Sequence, residues 1–221
     1  MLFARIKLNG VECDCFAFTK WSATVFTVFG KNKKAPDDEQ AIRFAVYDGK
    51  PVVWATDGHQ LVTATPSEGT LARIGGDREQ YLVASSLKGV VQKARVSQTV
   101  LFPINAPEVF VVDGKIDLRD GEAVEAELLG SVDIAGECSF GREVLDALRG
   151  FEQSAEIGAP AWSITSRFAA LFAAVAKATN DEDAWCLNPP RAEAAPMIVR
   201  VVEALDDSAW TIFVMPRQAA P

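Results

Sequence analysis

The sequence predicts an α+β protein built mainly on antiparallel sheet. Short apolar strands outnumber helices, many of them are joined by two-residue turns, and apolar residues at helical spacing occur in only four segments. The clearest turn signals are Asn9-Gly10, Asp48-Gly49 and Asp113-Gly114. Such Asn-Gly and Asp-Gly pairs are typical of β-hairpins. The connections therefore favour neighbouring strands that run in opposite directions.

The strands follow the chain in groups. Alternating residues 2–8 pass through Asn9-Gly10 into a second strand and open the chain as a hairpin. The predicted strands are residues 2–8, 11–15, 42–47, 51–55, 60–64, 81–84, 99–104, 108–112, 115–118, 123–129, 185–187, 197–203 and 210–215.

Helices are predicted at 18–29, 85–95, 140–151 and 166–178. The second is clear, because Leu87, Val90, Val91 and Ala94 stand at i, i+3, i+4 and i+7, and Ser85 is expected to cap it. The first is ambiguous between helix and strand, since its apolar residues share a helical face but it is rich in Thr and Val. Each helix precedes a run of strands. The boundary between two units is predicted near residues 130–136, which gives units at 1–130 and 137–221.

Composition narrows the function classes. The chain has 221 residues, with 22 basic against 30 acidic residues and a net charge of −8, so as a whole it should repel DNA. A role on DNA would require basic residues sorted onto one face.

The longest apolar run, at 168–176, is too short for a membrane helix, and the start of the chain lacks signal-peptide character, which predicts a cytoplasmic protein. Four cysteines without zinc spacing and a single histidine predict no metal site and no cofactor.

Two patterns raise enzymatic alternatives. His59 lies in an Asp-Gly turn, but no second histidine exists to support acid/base work with it. Ser85 and Lys88 match the S-x-x-K pattern of serine acylases, yet the Ser-Asp-Asn and Lys-Thr-Gly elements of those enzymes do not occur in the sequence. We therefore expect a protein that is not an enzyme, with the serine acylase kept as an alternative.

Basic residues lie opposite the apolar stripe on the predicted helices or, for Arg95, on its flank. They are Lys88, Lys93, Arg95, Arg142, Arg149 and Lys177. A cationic helix face is usually just a solvated surface. It gains interest here because the remainder of the chain is acidic.

Two further segments resemble a known family. Residues 55–61, Ala-Thr-Asp-Gly-His-Gln-Leu, resemble the A-T-D-G-H-R-L loop of bacterial sliding clamps, the β subunit of DNA polymerase III, and residues 213–216, Phe-Val-Met-Pro, resemble the V-V-M-P ending of that family. The strand at 81–83 followed by the helix at 85–95 fits the strand-then-helix step of the family.

This resemblance implies DNA-clamp-like domains, each with a pair of helices over antiparallel sheets. In the family, rings of such domains surround double-stranded DNA, contact it non-specifically through basic helix faces and bind polymerases through a hydrophobic peptide pocket. If the predicted helices line such a ring, the six basic residues on them would face DNA. The implied pocket residues are Thr56, Gly58, His59, Gln60, Leu61, Phe213, Val214, Met215 and Pro216.

The chain also departs from the family pattern. It has room for two domains instead of three. Because the rings of the family place twelve helices around DNA, four helices per chain predict a trimeric ring rather than a dimer. Gln60 stands where the family has Arg, and Arg217-Gln218 replace the usual Met-Arg-Leu ending. The short second unit leaves an alternative open, a monomeric clamp-like adaptor that binds peptides without encircling DNA.

Overall fold

Two β-sheets and three helices make up the described part of the chain. The structure is a computed structural model, and it describes residues 1–29, 41–56, 60–66, 76–136, 142–153, 185–188, 197–201 and 208–214. The strands are β1 (Leu2–Leu8), β2 (Val11–Thr19), β3 (Ala41–Tyr47), β4 (Lys50–Thr56), β5 (Gln60–Pro66), β6 (Arg78–Val83), β7 (Gln98–Pro103), β8 (Glu108–Asp113), β9 (Ala123–Val124), β10 (Glu127–Ser131), β11 (Trp185–Asn188), β12 (Met197–Val201) and β13 (Ser208–Val214). The helices are α1 (Lys20–Phe29), α2 (Ala84–Val91) and α3 (Arg142–Gln153). The predicted α+β class is confirmed.

The first sheet has six strands in the order β10-β8-β7-β2-β1-β9. Its neighbours are antiparallel except for β9, which pairs with β1 in parallel. The β1–β2 hairpin closes through Asn9 and Gly10, whose φ angles of 46° and 87° match a type I′ turn. This hairpin is as the sequence predicts.

The second sheet has seven strands in the order β11-β12-β13-β5-β4-β3-β6. It joins distant parts of the chain, because β13 pairs antiparallel with β5 along its whole length. Strands from both sides of the predicted boundary thus share one sheet. The division into units 1–130 and 137–221 stays a prediction.

The main core lies where α1 and α2 meet one face of each sheet. Six phenylalanines contact one another there in edge-to-face, tilted and stacked pairs, with ring centroids 4.6–6.4 Å apart. They are Phe3, Phe16, Phe18, Phe26, Phe44 and Phe102. The opposite face of each sheet carries its own smaller apolar cluster, so each sheet has apolar clusters on both faces.

An ion cluster ties the two sheets together at the edge of this core. The carboxylate of Asp14 on β2 is buried, receives both Nε and Nη2 of Arg5 on β1 at 2.8 and 3.2 Å, and also pairs with Arg78 on β6. The hydrogen bond to Asp14 raises the pKa of Arg5 above its ordinary value. Because a buried carboxylate without partners is strongly destabilising, this cluster fixes how the sheets meet.

The ambiguous first helix begins at a cap that the sequence prediction missed. Thr19 precedes α1, and its Oγ1 accepts a hydrogen bond from the backbone N–H of Ser22 at 3.1 Å. This is the bond expected between an N-cap and the third helical residue. The cap and the burial of Val25 and Phe26 outweigh the strand preference of the Thr and Val residues.

Three local predictions were wrong. Ser85 does not cap α2, since Val83 occupies the N-cap position and no side chain bonds there. Residues 115–118 form no strand, because both neighbours of β8 in the sheet are already β7 and β10. Residues 123–129 are divided between β9, which pairs with β1, and β10, which pairs with β8. The predicted helix at 166–178 lies outside the described residues.

Candidate functional site

The first helix pair presents basic side chains without acidic neighbours on the same helices. Helices α1 and α2 pack against each other, and Ala84, Leu87, Val90 and Val91 bury the inner face of α2. Lys88 is half-buried on the outer side of α2 and Lys93 is exposed in the turn that follows. No acidic residue occurs in 20–29 or 84–95. The surface of this pair is therefore positive in a chain whose net charge is negative.

Arg95 lies beside this surface but is paired. Its Nη2 lies 2.7 Å from Oδ1 of Asp113, and both side chains are largely exposed. The same carboxylate oxygen accepts a hydrogen bond from Nε2 of Gln98 at 2.9 Å. Part of the charge of Arg95 is thus neutralised locally.

Arg142, another predicted DNA-facing residue, is fully engaged by carboxylates. Its guanidinium pairs with Asp48 in the β3–β4 turn, with Asp77 at 2.8 Å and with Asp146 one turn along α3 at 3.2 Å. It also lies 5.0 Å from the ring centroid of Tyr47. The hydrogen bond to Asp48 is the largest cause of a pKa raised above the ordinary arginine value. This arrangement fastens α3 to the seven-stranded sheet.

The structure does not place the other two predicted basic side chains. Arg149 belongs to α3, but only its backbone is described, and Lys177 lies outside the described residues. The predicted DNA-facing set is therefore brought together only in part, around α2.

The two motif segments meet on neighbouring strands. Gln60 at the start of β5 pairs with Val214 at the end of β13, and Leu61 pairs with Phe213 next to them. Directly opposed residues in an antiparallel pair have Cβ atoms about 5 Å apart. Segments separated by some 150 positions in sequence are thus joined where two inner strands of the seven-stranded sheet meet, at the start of β5 and the end of β13.

The described side chains of these motifs are buried. Leu61 is 3% exposed, Phe213 1% and Thr56, at the end of β4, 6%. Leu61 and Phe213 belong to the apolar cluster that also contains Trp54 of β4 and Leu145 of α3. They form the base of this end of the sheet rather than an open surface. The other predicted pocket residues, Gly58, His59, Met215 and Pro216, lie outside the described residues, and Gln60 and Val214 are described by their backbone alone.

One basic residue of the α1–α2 pair was not predicted from the sequence to have a role. Lys20 begins α1, and its ammonium group reaches the carbonyl groups that follow α2. Its position next to a Thr-x-x-Ser cap could have placed it at a helix start, but the contact with α2 spans 72 residues and leaves no local signal.

The residues that the structure describes lend no support to the serine acylase alternative, to a metal site or to a membrane helix. Ser85 of the S-x-x-K pattern is exposed on the surface of α2. Within the ranges that the structure describes, no three His, Cys, Asp or Glu residues are grouped to hold a metal. In those same ranges no helix is long and apolar enough to cross a membrane.

Comparison with solved structures identifies the fold. A DNA polymerase sliding clamp from Pseudomonas aeruginosa superposes with a TM-score of 0.55 at 10% identity, over 93% of this chain and 66% of that one. A β clamp from H. pylori gives a TM-score of 0.55 at 10% identity, over 91% and 64% of the two chains. The DNA polymerase III subunit beta from P. aeruginosa gives 0.50 at 9% identity, over 93% and 66%.

The class that these comparisons define is the DNA-clamp fold, and the chain has it. At such low identity the similarity shows the fold alone. The chain spans about two thirds of the length of these clamps. No protein-family model and no curated protein matches the sequence.

Proposed function

We propose that the protein is a clamp-type processivity factor that holds replication proteins on double-stranded DNA. The observation that carries this proposal is the distribution of charge on a clamp fold. The α1–α2 pair contains lysines and no acidic residue, although the whole chain has a net charge of −8. A positive surface of this kind attracts phosphates regardless of base sequence. No catalytic step is part of this proposal, and we place the protein in the cytoplasm.

Acidic residues concentrate in another stretch of the sequence. Residues 108–133, which include β8, β9 and β10, contain eight acidic residues against only Lys115 and Arg119. The acidic residues are Glu108, Asp113, Asp117, Asp120, Glu122, Glu125, Glu127 and Asp133. The helices that carry Lys88 and Lys93 thus contain only basic charges, although the chain as a whole is acidic.

Within the proposed DNA-contact set, Lys88 and Lys93 carry the largest weight. Neither forms an ion pair with another described residue, whereas Arg95 and Arg142 are paired with carboxylates. An unpaired lysine releases a counterion when it binds a phosphate, which is the main source of affinity in non-specific binding. Arg149 and Lys177 complete the proposed set, to which Arg142 adds little because three carboxylates hold its guanidinium.

We further propose a peptide pocket at the joined ends of β5 and β13. It comprises Thr56, Gly58, His59, Gln60, Leu61, Phe213, Val214, Met215 and Pro216. The pairing of Gln60 with Val214 supports it, because it brings the two motifs to one place. Leu61 and Phe213 supply a rigid apolar base, and Met215 offers an adaptable side chain for an apolar ligand residue.

Substitution of Met215 tests the pocket. Met215→Asp places a charge where an apolar peptide residue would bind, so affinity for a peptide with a clamp-binding motif should fall at least tenfold, measured by fluorescence anisotropy. Val11→Asp is the matched control, since Val11 is 68% exposed in the β1–β2 hairpin, far along the chain from both motifs. Equal affinity of the Met215→Asp and Val11→Asp proteins would remove the pocket from the proposal.

The oligomeric state tests encirclement. Twelve helices around DNA, at four per chain, require three copies, so size-exclusion chromatography with light scattering should give a mass near three times 23.9 kDa. A dimer would contradict the count of four helices per chain. A monomer at all concentrations would instead support a clamp-like peptide-binding adaptor.

A further inference from the structure

The ammonium group of Lys20 is held by the end of the neighbouring helix. Its Nζ donates a hydrogen bond to the carbonyl oxygen of Gln92 at 3.1 Å and a second one to the carbonyl oxygen of Ala94. Gln92 is the C-cap of α2, and Ala94 lies two residues further on. Lys20 therefore links the first residue of α1 to the turn that follows α2.

The charge of Lys20 suits this contact better than its own helix. The last carbonyl groups of a helix lack partners within it and carry partial negative charge, so a cation there is favourable. A lysine in the first turn of α1 is unfavourable for the dipole of that helix. The contact with α2 gives a physical reason for a lysine at this position.

The turn that Lys20 contacts is the one that presents Lys93. It is a tight turn in which the N–H of Lys93 bonds the carbonyl of Val90 at 3.0 Å and the N–H of Ala94 bonds the carbonyl of Val91 at 3.1 Å. Lys93 stands between the two carbonyl groups that accept from Lys20. Lys88, by contrast, lies within the regular part of α2. A loss of the Lys20 contact should therefore affect Lys93 and leave Lys88 in place.

We infer that Lys20 is a positioning residue of the DNA-contact surface, which holds the turn after α2 so that Lys93 faces the phosphate backbone. The inference rests on the proposed function. Lys20 itself donates to backbone carbonyls and does not bind phosphate. It acts through Lys93.

A double-mutant cycle on the whole protein tests this inference. Affinity for a duplex of mixed sequence is measured over a range of salt for Lys20→Met, Lys88→Met, Lys93→Met and the doubles that combine Lys20→Met with each of the other two. One lost phosphate contact lowers the salt slope by about 0.9, or affinity about eightfold at 0.1 M salt. Lys20→Met and Lys93→Met should each show this loss, and their double should be no weaker than Lys93→Met alone. The double with Lys88→Met should show both losses.

Two variants control for charge and for general structure. Lys7→Met removes the same charge from an exposed position on β1 and should leave the salt slope unchanged. Lys20→Arg keeps donors for both carbonyl groups and should restore the wild-type slope. Losses that add fully in the double with Lys93→Met would show that Lys20 binds phosphate itself and would overturn the inference.

Amide hydrogen exchange separates this inference from the proposed function. Without DNA, Lys20→Met should speed exchange at Lys93 and Ala94 relative to wild type, because the turn loses its tie to α1. Unchanged exchange there would overturn the inference even if the protein binds DNA. A wild-type protein without salt-dependent DNA binding would overturn the proposed function, and the inference with it, whatever the exchange rates.

Discussion

The α1–α2 pair and helix α3 carry similar cations in opposite surroundings. Lys88 and Lys93 lie on a surface whose helices contain no acidic residue. Arg142 of α3 is held by Asp48, Asp77 and Asp146. The lysines of the α1–α2 pair face solvent, whereas Arg142 attaches α3 to the seven-stranded sheet.

A basic residue opposite an apolar stripe can therefore either face solvent or hold its helix against a sheet. On α2 the apolar stripe packs into the main core and the lysines are left to the outside. On α3 the buried residue Leu145 belongs to the cluster on the far face of the seven-stranded sheet, and Arg142 fixes the start of the helix above Tyr47. Only the first arrangement is free to bind phosphate without breaking contacts within the protein.

The largest expected effect in this comparison concerns the stability of the α3 side. Leu145 is fully buried, so Leu145→Ala should lower the free energy of unfolding by about 3 kcal/mol, as measured by urea denaturation. Lys88→Met should change it by less than about 0.5 kcal/mol, since a surface substitution removes little. DNA affinity of the folded Leu145→Ala protein should equal that of wild type. Loss of DNA affinity without loss of stability would show that α3 contributes as much to DNA binding as α2, and would contradict the contrast drawn between them.

A smaller effect is expected at Arg95, which lies beside the α1–α2 surface but is paired with one carboxylate. Asp113→Asn releases Arg95 from its ion pair and keeps an acceptor for Gln98, so DNA affinity should rise about threefold at low salt. Asp117→Asn is the matched control, because Asp117 pairs with Arg119, which is not in the proposed contact set. An equal rise in both variants, measured by anisotropy, would show a general effect of net charge and not the release of Arg95.

Local features of the fold could be predicted from the sequence, and distant pairings could not. Asn9-Gly10 specifies its turn through conformations open to those two residues, so the first hairpin was predicted correctly. The division of 123–129 between β9 and β10 depends on which strands have a free edge, which only the assembled sheets decide. The strand predicted at 115–118 failed for the same reason.

The candidate site shows the same limit. The motifs at 55–61 and 213–216 are visible in the sequence, but the register that sets Leu61 opposite Phe213 depends on β13 joining β5. The basic residues were visible too, whereas their distant partners were not. Asp146, one turn along α3, is a local partner of Arg142. Asp48 and Asp77 lie 94 and 65 residues from Arg142, so nothing local indicates those two ion pairs.

The salt dependence of DNA binding distinguishes the lysines at α2 from the ion-paired Arg142 of α3. The affinity of the wild-type protein for a duplex of mixed sequence is compared with that of Lys88→Met/Lys93→Met and of Arg142→Met, over a series of salt concentrations. Our account predicts that the slope of log affinity against log salt falls by about 1.8 in the double lysine variant and stays unchanged in Arg142→Met. An unchanged slope in the lysine variant, or an equal loss per charge in Arg142→Met, would contradict the account.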